Sequence, residues 1–253
     1  MQECDSMNIL IKVILVSLEE LSLAFKGELT MTENMEALMQ AVYLNRLPAK
    51  WAKFSFTSTR GLGSWLDNLK QRLEQLNIWK ESPEKMPTVT FINRLFNPSS
   101  FLTAIRQVYA RKEEQELNKM TLYTHVERKM YWEADLPPLK EKDGAYIFGF
   151  QIEGARWDPS VGQLEESHPK KPFSIVPVVK CIPQVQVAGK EDKTIYKCPI
   201  YKTTGRGATF VDAAQLKTKQ PADKWVLAGV AIILDVEGVS DAFGPGKEVP
   251  LSG

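Results

Sequence analysis

The sequence contains few of the residues that build metal sites and disulfide frameworks. Among its 253 residues are three cysteines, an odd number at widely separated positions, and only two histidines. Three scattered thiols fit the reduced cysteines of an intracellular protein better than a disulfide framework. No two cysteines form a Cys-x-x-Cys pair, so the pattern also argues against a zinc knuckle.

An excess of charge and a long apolar run are both missing. Lysine and arginine number 32 and the acidic residues 31, so the net charge of +1 gives no reason to expect nucleic acid or an anionic membrane as a partner. Near the start, Lys12 interrupts the apolar run between Ile9 and Val16, which is too short to span a bilayer. Glu3 and Asp5 stand where a signal peptide has basic residues, so no targeting segment is expected.

The sequence also shows no catalytic motif. Gly205-Arg206-Gly207 lacks the lysine and the helix cap of a phosphate-binding loop and is expected to be a turn between two strands. Gly61-Leu62-Gly63 precedes a helix but lacks the preceding strand and the third glycine of a dinucleotide-binding turn. His125 falls in a strand pattern and His168 in a proline-rich loop, and nothing places either beside a nucleophile and an orienting acid.

The first half of the sequence has the period of amphipathic helices, and the length suffices for one or two domains. The first helix should bury one stripe, formed by Ile11, Ile14, Leu15, Leu18, Leu21 and Phe25. A capping box at Thr30-Met31-Thr32-Glu33 predicts a second helix. Because the first helix begins almost at Met1 without a cap, we expect the sequence to be cut from a longer protein.

Two further helices are predicted in this half. One follows Gly63 and carries Trp65 on its apolar face, and the other begins at Asn97-Pro98 and carries Phe101 on its buried face.

After about residue 118 the pattern changes to short strands separated by prolines and glycines. The predicted strands are 122–126, 145–152, 174–187, 194–202, 209–216 and 225–236. Helices followed by strands predict an α+β fold, with an α-helical subdomain over 1–118 and a small antiparallel β-barrel or sandwich over 119–236. Residues 237–253, rich in glycine and proline, are expected to be a flexible tail and in part a cloning remnant.

The most informative stretch is 146–158. Its first half reads as a strand, and the turn that follows, Gly154-Ala155-Arg156-Trp157-Asp158, presents an arginine, an indole and a carboxylate together. Trp157 beside Arg156 would stack under the guanidinium and lock a corner inside the domain. The alternative is a contact surface for a neighbouring domain, since tryptophan and arginine are frequent at interfaces.

Glu153–Asp158 resembles a signature of the C-terminal domain of dynein heavy chains, in the form of the axonemal branch. Further stretches resemble this family in the same order: Gly63-Ser64-Trp65, residues 100–104 with 109–112, residues 166–170, residues 198–203 and residues 224–231. The resemblance spans about residues 5–236 and weakens around 112–143 and after Val236. The residues predicted as structural or interface positions of the family are Trp65, Phe101, Glu153, Gly154, Arg156, Trp157, Asp158, Pro199, Tyr201 and Trp225.

The resemblance implies a helical part followed by a β-barrel, without catalytic, cofactor or metal residues of its own. The parent would be an ATP-driven, minus-end-directed microtubule motor of the cytoskeleton in a cilium or flagellum, with ATP and Mg²⁺ bound in its AAA+ modules. The implied partner of the domain is the AAA+ ring of the same heavy chain. The domain would modulate how the nucleotide state of that ring is coupled to movement. The parent would also bind microtubules and other dynein subunits, and no nucleic acid or membrane is implied.

Two other interpretations remain open at the level of the sequence. One is a stand-alone β-barrel adaptor or protein-interaction module, and the weaker one is an enzyme with an unrecognised site.

Overall fold

A computed structural model describes residues 2–81, 89–130, 136–137, 139, 144–185 and 194–236. The protein divides into two compact units, one formed by residues 1–83 and 94–96 and the other by residues 84–93 and 97–253. The predicted tail at 237–253 lies outside the described residues. None of the described helices is long and apolar enough to cross a membrane.

The described part of the first unit contains four α-helices. They are α1 (Gln2–Phe25), α2 (Glu33–Tyr43), α3 (Ala49–Ala52) and α4 (Leu62–Glu81). The Thr32 hydroxyl caps α2 by accepting a hydrogen bond from the Met35 N–H at 3.4 Å. The helix therefore starts two residues later than a capping box that begins at Thr30 would place it, because Thr32 has the extended backbone that an N-cap needs.

Aromatic side chains form the centre of the first unit. The Trp65 ring is fully buried and stacks on Phe56 and Trp51, with centroids 5.5 and 6.3 Å away. Each indole N–H has a hydroxyl acceptor, Ser55 for Trp65 at 3.0 Å and Ser17 for Trp51 at 2.8 Å. These hydrogen bonds let both indoles be buried without an unsatisfied donor.

The face through which helix α1 packs overlaps the predicted stripe only in part. Its buried residues are Met7, Leu10, Ser17 and Leu21. Of the predicted stripe, Leu21 is buried, Ile11 and Ile14 are partly buried against the core, and Leu15, Leu18 and Phe25 are exposed. The prediction was wrong for Leu15, Leu18 and Phe25, because α1 carries apolar residues on more than one face and periodicity alone does not tell which of them meet α2, α3 and α4.

The second unit combines eleven strands with two α-helices in its described part. The strands are β1 (Val89–Phe91), β2 (Met120–Val126), β3 (Ala145–Phe148), β4 (Gln151–Glu153), β5 (Ala155–Asp158), β6 (Gln163–Glu166), β7 (Phe173–Ile175), β8 (Val179–Val185), β9 (Ile195–Thr203), β10 (Phe210–Lys217) and β11 (Ala231–Asp235). The helices are α5 (Pro98–Lys112) and α6 (Ala222–Leu227).

The strands form three sheets, with the orders β1-β3-β8-β2, β10-β9-β11-β4-β7 and β5-β6. Most pairs are antiparallel, as predicted, but β1 with β3 and β11 with β9 are parallel. The mixed α+β class is therefore confirmed. The described strands do not form a closed barrel of backbone ladders.

Helix α5 belongs with the strands, although we expected it in the helical subdomain ending at residue 118. Its buried residues Leu102 and Ile105 lie on the side that meets β2, β8 and β10, and Arg106 forms an ion pair with Asp212 of β10. All residues from Asn97 onward thus belong to the second compact unit.

The predicted strand at 225–236 begins as a helix. Pro221 precedes α6 as its N-cap residue, and Gly229, with φ +66°, follows its last turn before β11 begins at Ala231. The prediction was wrong for the first part because the apolar run Trp225 to Leu227 is compatible with either structure. The proline before this run favours the start of a helix, and the glycine after it, in the left-handed backbone conformation, favours the end of one.

Candidate interaction sites

Gly154 connects β4 to β5 in a conformation that needs glycine. Its φ is +80°, and a Cβ atom there would lie 3.4 Å from the carbonyl oxygen of Ala228. Its N–H donates to the carbonyl of Pro172 at 3.3 Å. The glycine of the signature therefore turns the backbone where the segments that contain Pro172 and Ala228 lie next to it.

Glu153, next to this glycine, binds an arginine that sequence reasoning missed. The Arg206 Nη2 donates to the Glu153 carboxylate at 2.7 Å and to the carbonyl of Gly229 at 2.8 Å. The Arg206 guanidinium also lies 5.9 Å from the ring centre of Tyr201. These contacts tie the end of β4 to the turn after β9 and to the turn before β11.

Arg206 itself has an uncommon backbone. Its φ and ψ are 50° and −132°, a region that residues other than glycine rarely adopt. It lies in the predicted turn at Gly205-Arg206-Gly207, which connects β9 and β10 as expected. The contacts of the Arg206 side chain with Glu153, Gly229 and Tyr201 stabilise this uncommon backbone conformation. The only signal in the sequence is an arginine between two glycines in a turn.

Asp158 ends β5 and organises the turn toward β6. One carboxylate oxygen accepts from the Ser160 N–H at 2.9 Å and from its hydroxyl at 2.5 Å, and the other accepts from Arg156 Nη1 at 3.2 Å. The hydrogen bonds from Ser160, followed by that from Arg156, lower the pKa of Asp158 from 3.8 to about 2. The arginine and the carboxylate of the signature are thus paired with each other.

Trp157 points away from this pair, since neighbours on a strand face opposite sides. The strand geometry does not favour the predicted stack of Trp157 with Arg156. Trp157 is buried opposite Leu164 of β6, with 6% of its surface exposed. Its indole Nε1 is buried and has no hydrogen-bond partner among the described residues. The indole lines a cavity of about 480 Å³.

The remaining predicted residues are dispersed over the two units. Trp65 is in the core of the first unit, and Phe101 is half-buried on α5. Pro199 is half-buried on β9 opposite Ala213, and Trp225 is buried on α6 with its indole N–H on the Thr218 hydroxyl at 2.8 Å. Of the ten predicted residues, the structure brings Glu153, Gly154 and Tyr201 together around Arg206 and the α6–β11 turn.

The titratable groups form no recognisable catalytic arrangement in the described residues. Burial raises the pKa of the Cys181 thiol to about 12 and also raises that of Cys198, so neither is a reactive thiolate near neutral pH. His125 and His168 are both exposed. No group of three His, Cys, Asp or Glu side chains that could hold a metal ion occurs in the part of the protein that the structure describes.

Comparison with known proteins finds similarity to dynein heavy chains in both a family model and individual relatives. The family model for the C-terminal domain of the dynein heavy chain matches residues 1–234. The protein is 44% identical over 238 residues to the dynein axonemal heavy chain 9 of Homo sapiens. It is 42% identical to the ciliary dynein beta chain of Tripneustes gratilla and 43% identical to the flagellar outer arm dynein beta chain of Chlamydomonas reinhardtii, each over 235 residues. Each match covers 93% of this sequence but only 5% of the relative.

Proposed function

The protein belongs to the family of C-terminal domains of dynein heavy chains, and we propose that it is the non-catalytic C-terminal domain of an axonemal dynein heavy chain. In this proposal it packs against the AAA+ ring of the same heavy chain and modulates how ATP hydrolysis drives minus-end-directed movement along microtubules. The axonemal, ciliary and flagellar names of the relatives support a place in the axoneme. ATP, Mg²⁺, microtubules and other dynein subunits are ligands or partners of the parent.

The observation that carries the ring contact is an apolar surface on the first unit. Leu15, Leu18 and Phe25 share one side of α1, and Leu15 and Phe25 expose 61% and 64% of their surface. Helix α2, which contacts α1, exposes Met39, Val42 and Tyr43 at helical spacing, with Tyr43 88% exposed. Exposed apolar side chains grouped on one side of a helix are characteristic of a face that another protein surface covers.

The second unit supplies a smaller apolar surface for a second contact. Leu227 and Val226, at the end of α6, are 88% and 62% exposed, next to the turn that Arg206 and Gly229 hold. This places exposed aliphatic side chains on a rigid corner. The Glu153–Arg206 pair would then act as a support for the contact residues and would not touch the ring itself.

A domain that binds one state of the ring better than another shifts the balance between the two states. Such coupling is usually modest, and changes at a contributing surface alter it by about 0.5–2 kcal/mol, or roughly two- to thirtyfold. The proposed domain is therefore a modulator of the motor, since the chemistry of ATP hydrolysis takes place elsewhere in the parent.

The test uses the intact parent motor with Leu15, Leu18 and Phe25 replaced by alanine. We expect microtubule gliding velocity at a given ATP turnover to change by about twofold or more. The control is Ile9→Ala with Val16→Ala, which removes apolar side chains from the opposite side of the same helix. If the triple variant leaves velocity and turnover unchanged, or if only the control alters them, this face of α1 is not the ring contact.

The predicted β-barrel over residues 119–236 is also part of this proposal. We infer that the strands of 119–236 enclose a small barrel whose last seam, between β2 and β10, is closed by side chains. The Thr124 hydroxyl bridges these strands, because it donates to the Gln215 carbonyl and accepts from the Gln215 N–H, both at 2.7 Å.

An immunoblot of source-cell lysate separates the proposal from the alternative of a stand-alone adaptor. An antibody raised against these 253 residues should detect a single band of several hundred kilodaltons if they are the end of a heavy chain. A band near 28.6 kDa, the mass of the 253 residues alone, would instead support the adaptor.

A further inference from the structure

A groove lies beside helix α2 in the first unit and encloses about 940 Å³. One wall is the surface of α2, and the other is formed by Ser17 and Glu20 of α1 and by Ala49 and Lys50 of α3. Glu20 and Lys50 of this second wall pair with each other at 3.7 Å. The lining falls between Ser17 and Lys50, a part of the sequence that is described without a gap.

The α2 wall of this groove has small side chains at its centre. Asn34, Ala37, Ala41 and Leu44 line the groove and follow one another at intervals of three or four residues, so they share one side of the helix. The two alanines leave the middle of this side without a bulky side chain, and Leu44 at its end exposes 54% of its surface. A second helix can therefore approach α2 closely along this side.

Opposite charges stand at the two ends of α2. Glu33 is the first residue of the helix and is exposed. Arg46 lines the groove just past the last turn, where its N–H donates to the Ala41 carbonyl at 2.8 Å. With Asn45 before it at φ 52°, this hydrogen bond completes a Schellman motif, which fixes Arg46 at the helix end. Neither Glu33 nor Arg46 forms an ion pair with another described residue.

This side of α2 is complementary to itself. If two copies of the helix lie antiparallel about a two-fold axis, Ala37 of each copy meets Ala41 of the other. The same axis places Arg46 of each copy beside Glu33 of the other, and both ion pairs form together because a two-fold contact repeats every pairing. The partial charges at the helix ends attract each other in this orientation as well.

We propose that the groove binds the α2 helix of a second copy of this protein, in a two-fold symmetric dimer with an Arg46–Glu33 ion pair at each end. Met39 and Tyr43 lie on the opposite side of α2, so the dimer contact is independent of the proposed ring contact. Applied to the parent of the proposed function, the contact joins two heavy chains through their C-terminal domains.

The first test is sedimentation equilibrium of the 253-residue protein between about 1 and 300 µM. The mean mass should rise from the 28.6 kDa of one copy toward twice that value. A protein that stays monomeric over this range, or that grows beyond the dimer, overturns the proposal.

Exchange of the charges tests the pairing itself. Arg46→Glu and Glu33→Arg each place like charges at both ends of the contact and should weaken the dimer about tenfold or more. Mixing the two variants should restore association as a heterodimer, because one variant then carries acids and the other arginines at both positions. The double variant Arg46→Glu, Glu33→Arg should dimerise within about threefold of the wild type for the same reason.

Glu36→Arg is the matched control, since it lies in the same first turn of α2 on another side and should leave association within about twofold. Ala37→Arg, at an exposed position, should abolish the dimer while circular dichroism shows an unchanged fold. The proposal is wrong if Glu36→Arg weakens the dimer as much as Glu33→Arg does, or if the mixture of the two charge variants stays monomeric. A dimer that survives Ala37→Arg uses another face, and this result would also refute the proposal.

Discussion

The Arg206 guanidinium donates to the Glu153 carboxylate at 2.7 Å across 53 residues of sequence. Glu153 belongs to the signature stretch, and Arg206 belongs to a two-strand turn that carries no signature. The pair shows why a glutamate precedes the glycine of the signature: it holds the turns after β9 and before β11 through one arginine.

Arg206→Ala should lower the free energy of unfolding by about 1–2 kcal/mol, because the Glu153 carboxylate and the Gly229 carbonyl both lose a charged donor. Arg206→Gly should lose less, because glycine adopts the φ of 50° without strain. Urea denaturation measures both. The control Lys50→Ala removes an exposed ion pair of 3.7 Å with Glu20 and should cost less than about 0.5 kcal/mol. Equal decreases in the free energy of unfolding for Arg206→Ala and Lys50→Ala would show that the Arg206 contacts stabilise the fold no more than an exposed ion pair does.

Gly154→Ala should destabilise the second unit by about 1–2 kcal/mol, because its φ of +80° is unfavourable for alanine; the new methyl group would make only a van der Waals contact with the Ala228 carbonyl, at 3.4 Å. Gly162→Ala isolates the backbone contribution, since its φ is +72° and the methyl group meets nothing within 4 Å. Gly205→Ala needs no left-handed backbone and should change stability by less than about 0.5 kcal/mol. Thermal unfolding of the three variants gives the ranking, and a loss at Gly205 as large as at Gly154 would contradict it.

Thr124→Val should weaken the link between β2 and β10. Valine keeps the shape of threonine but leaves the Gln215 N–H and carbonyl without the hydroxyl, at a cost of about 1–3 kcal/mol. Amide hydrogen exchange at Gln215 should accelerate accordingly. Thr121→Val, on the same strand, is the control and should leave this exchange rate unchanged. An unchanged rate in Thr124→Val would mean that the hydroxyl bridge does not hold the seam.

The pH dependence of stability should contain a contribution from Asp158. Because folding lowers the pKa of this carboxyl from 3.8 to about 2, its stabilisation is present above pH 3.8 and is lost as the pH falls toward 2. The difference in Tm between the wild type and Asp158→Asn should therefore shrink over that interval. Ser160→Ala removes the largest cause of the pKa shift and should reduce the same pH dependence. If the difference in Tm between the wild type and Asp158→Asn stayed constant between about pH 6 and pH 2, that would contradict the lowered pKa of Asp158.

Helix α1 and helix α6 show where periodicity reached its limit. The existence of α1 and part of its buried face followed from its apolar spacing. The limits of that face did not, because Leu15 and Leu18 are as apolar as Leu10 and Leu21 and only the packing against α2, α3 and α4 distinguishes them. The start of the last apolar run, at Trp225, was predicted as strand because local pattern does not separate a short buried helix from a strand.

The sequence by itself determined the family, a mainly helical first part followed by a strand-rich part, the turn at Gly205–Gly207 and the glycine that ends the signature strand at 154. Each of these depends on residues close together in sequence or on an ordered set of short motifs. Only the tertiary structure decided that Arg206 binds Glu153, that α5 packs on the strands, and that Trp157 lines a cavity. These features depend on contacts between residues far apart in sequence, and no local propensity or period encodes such contacts.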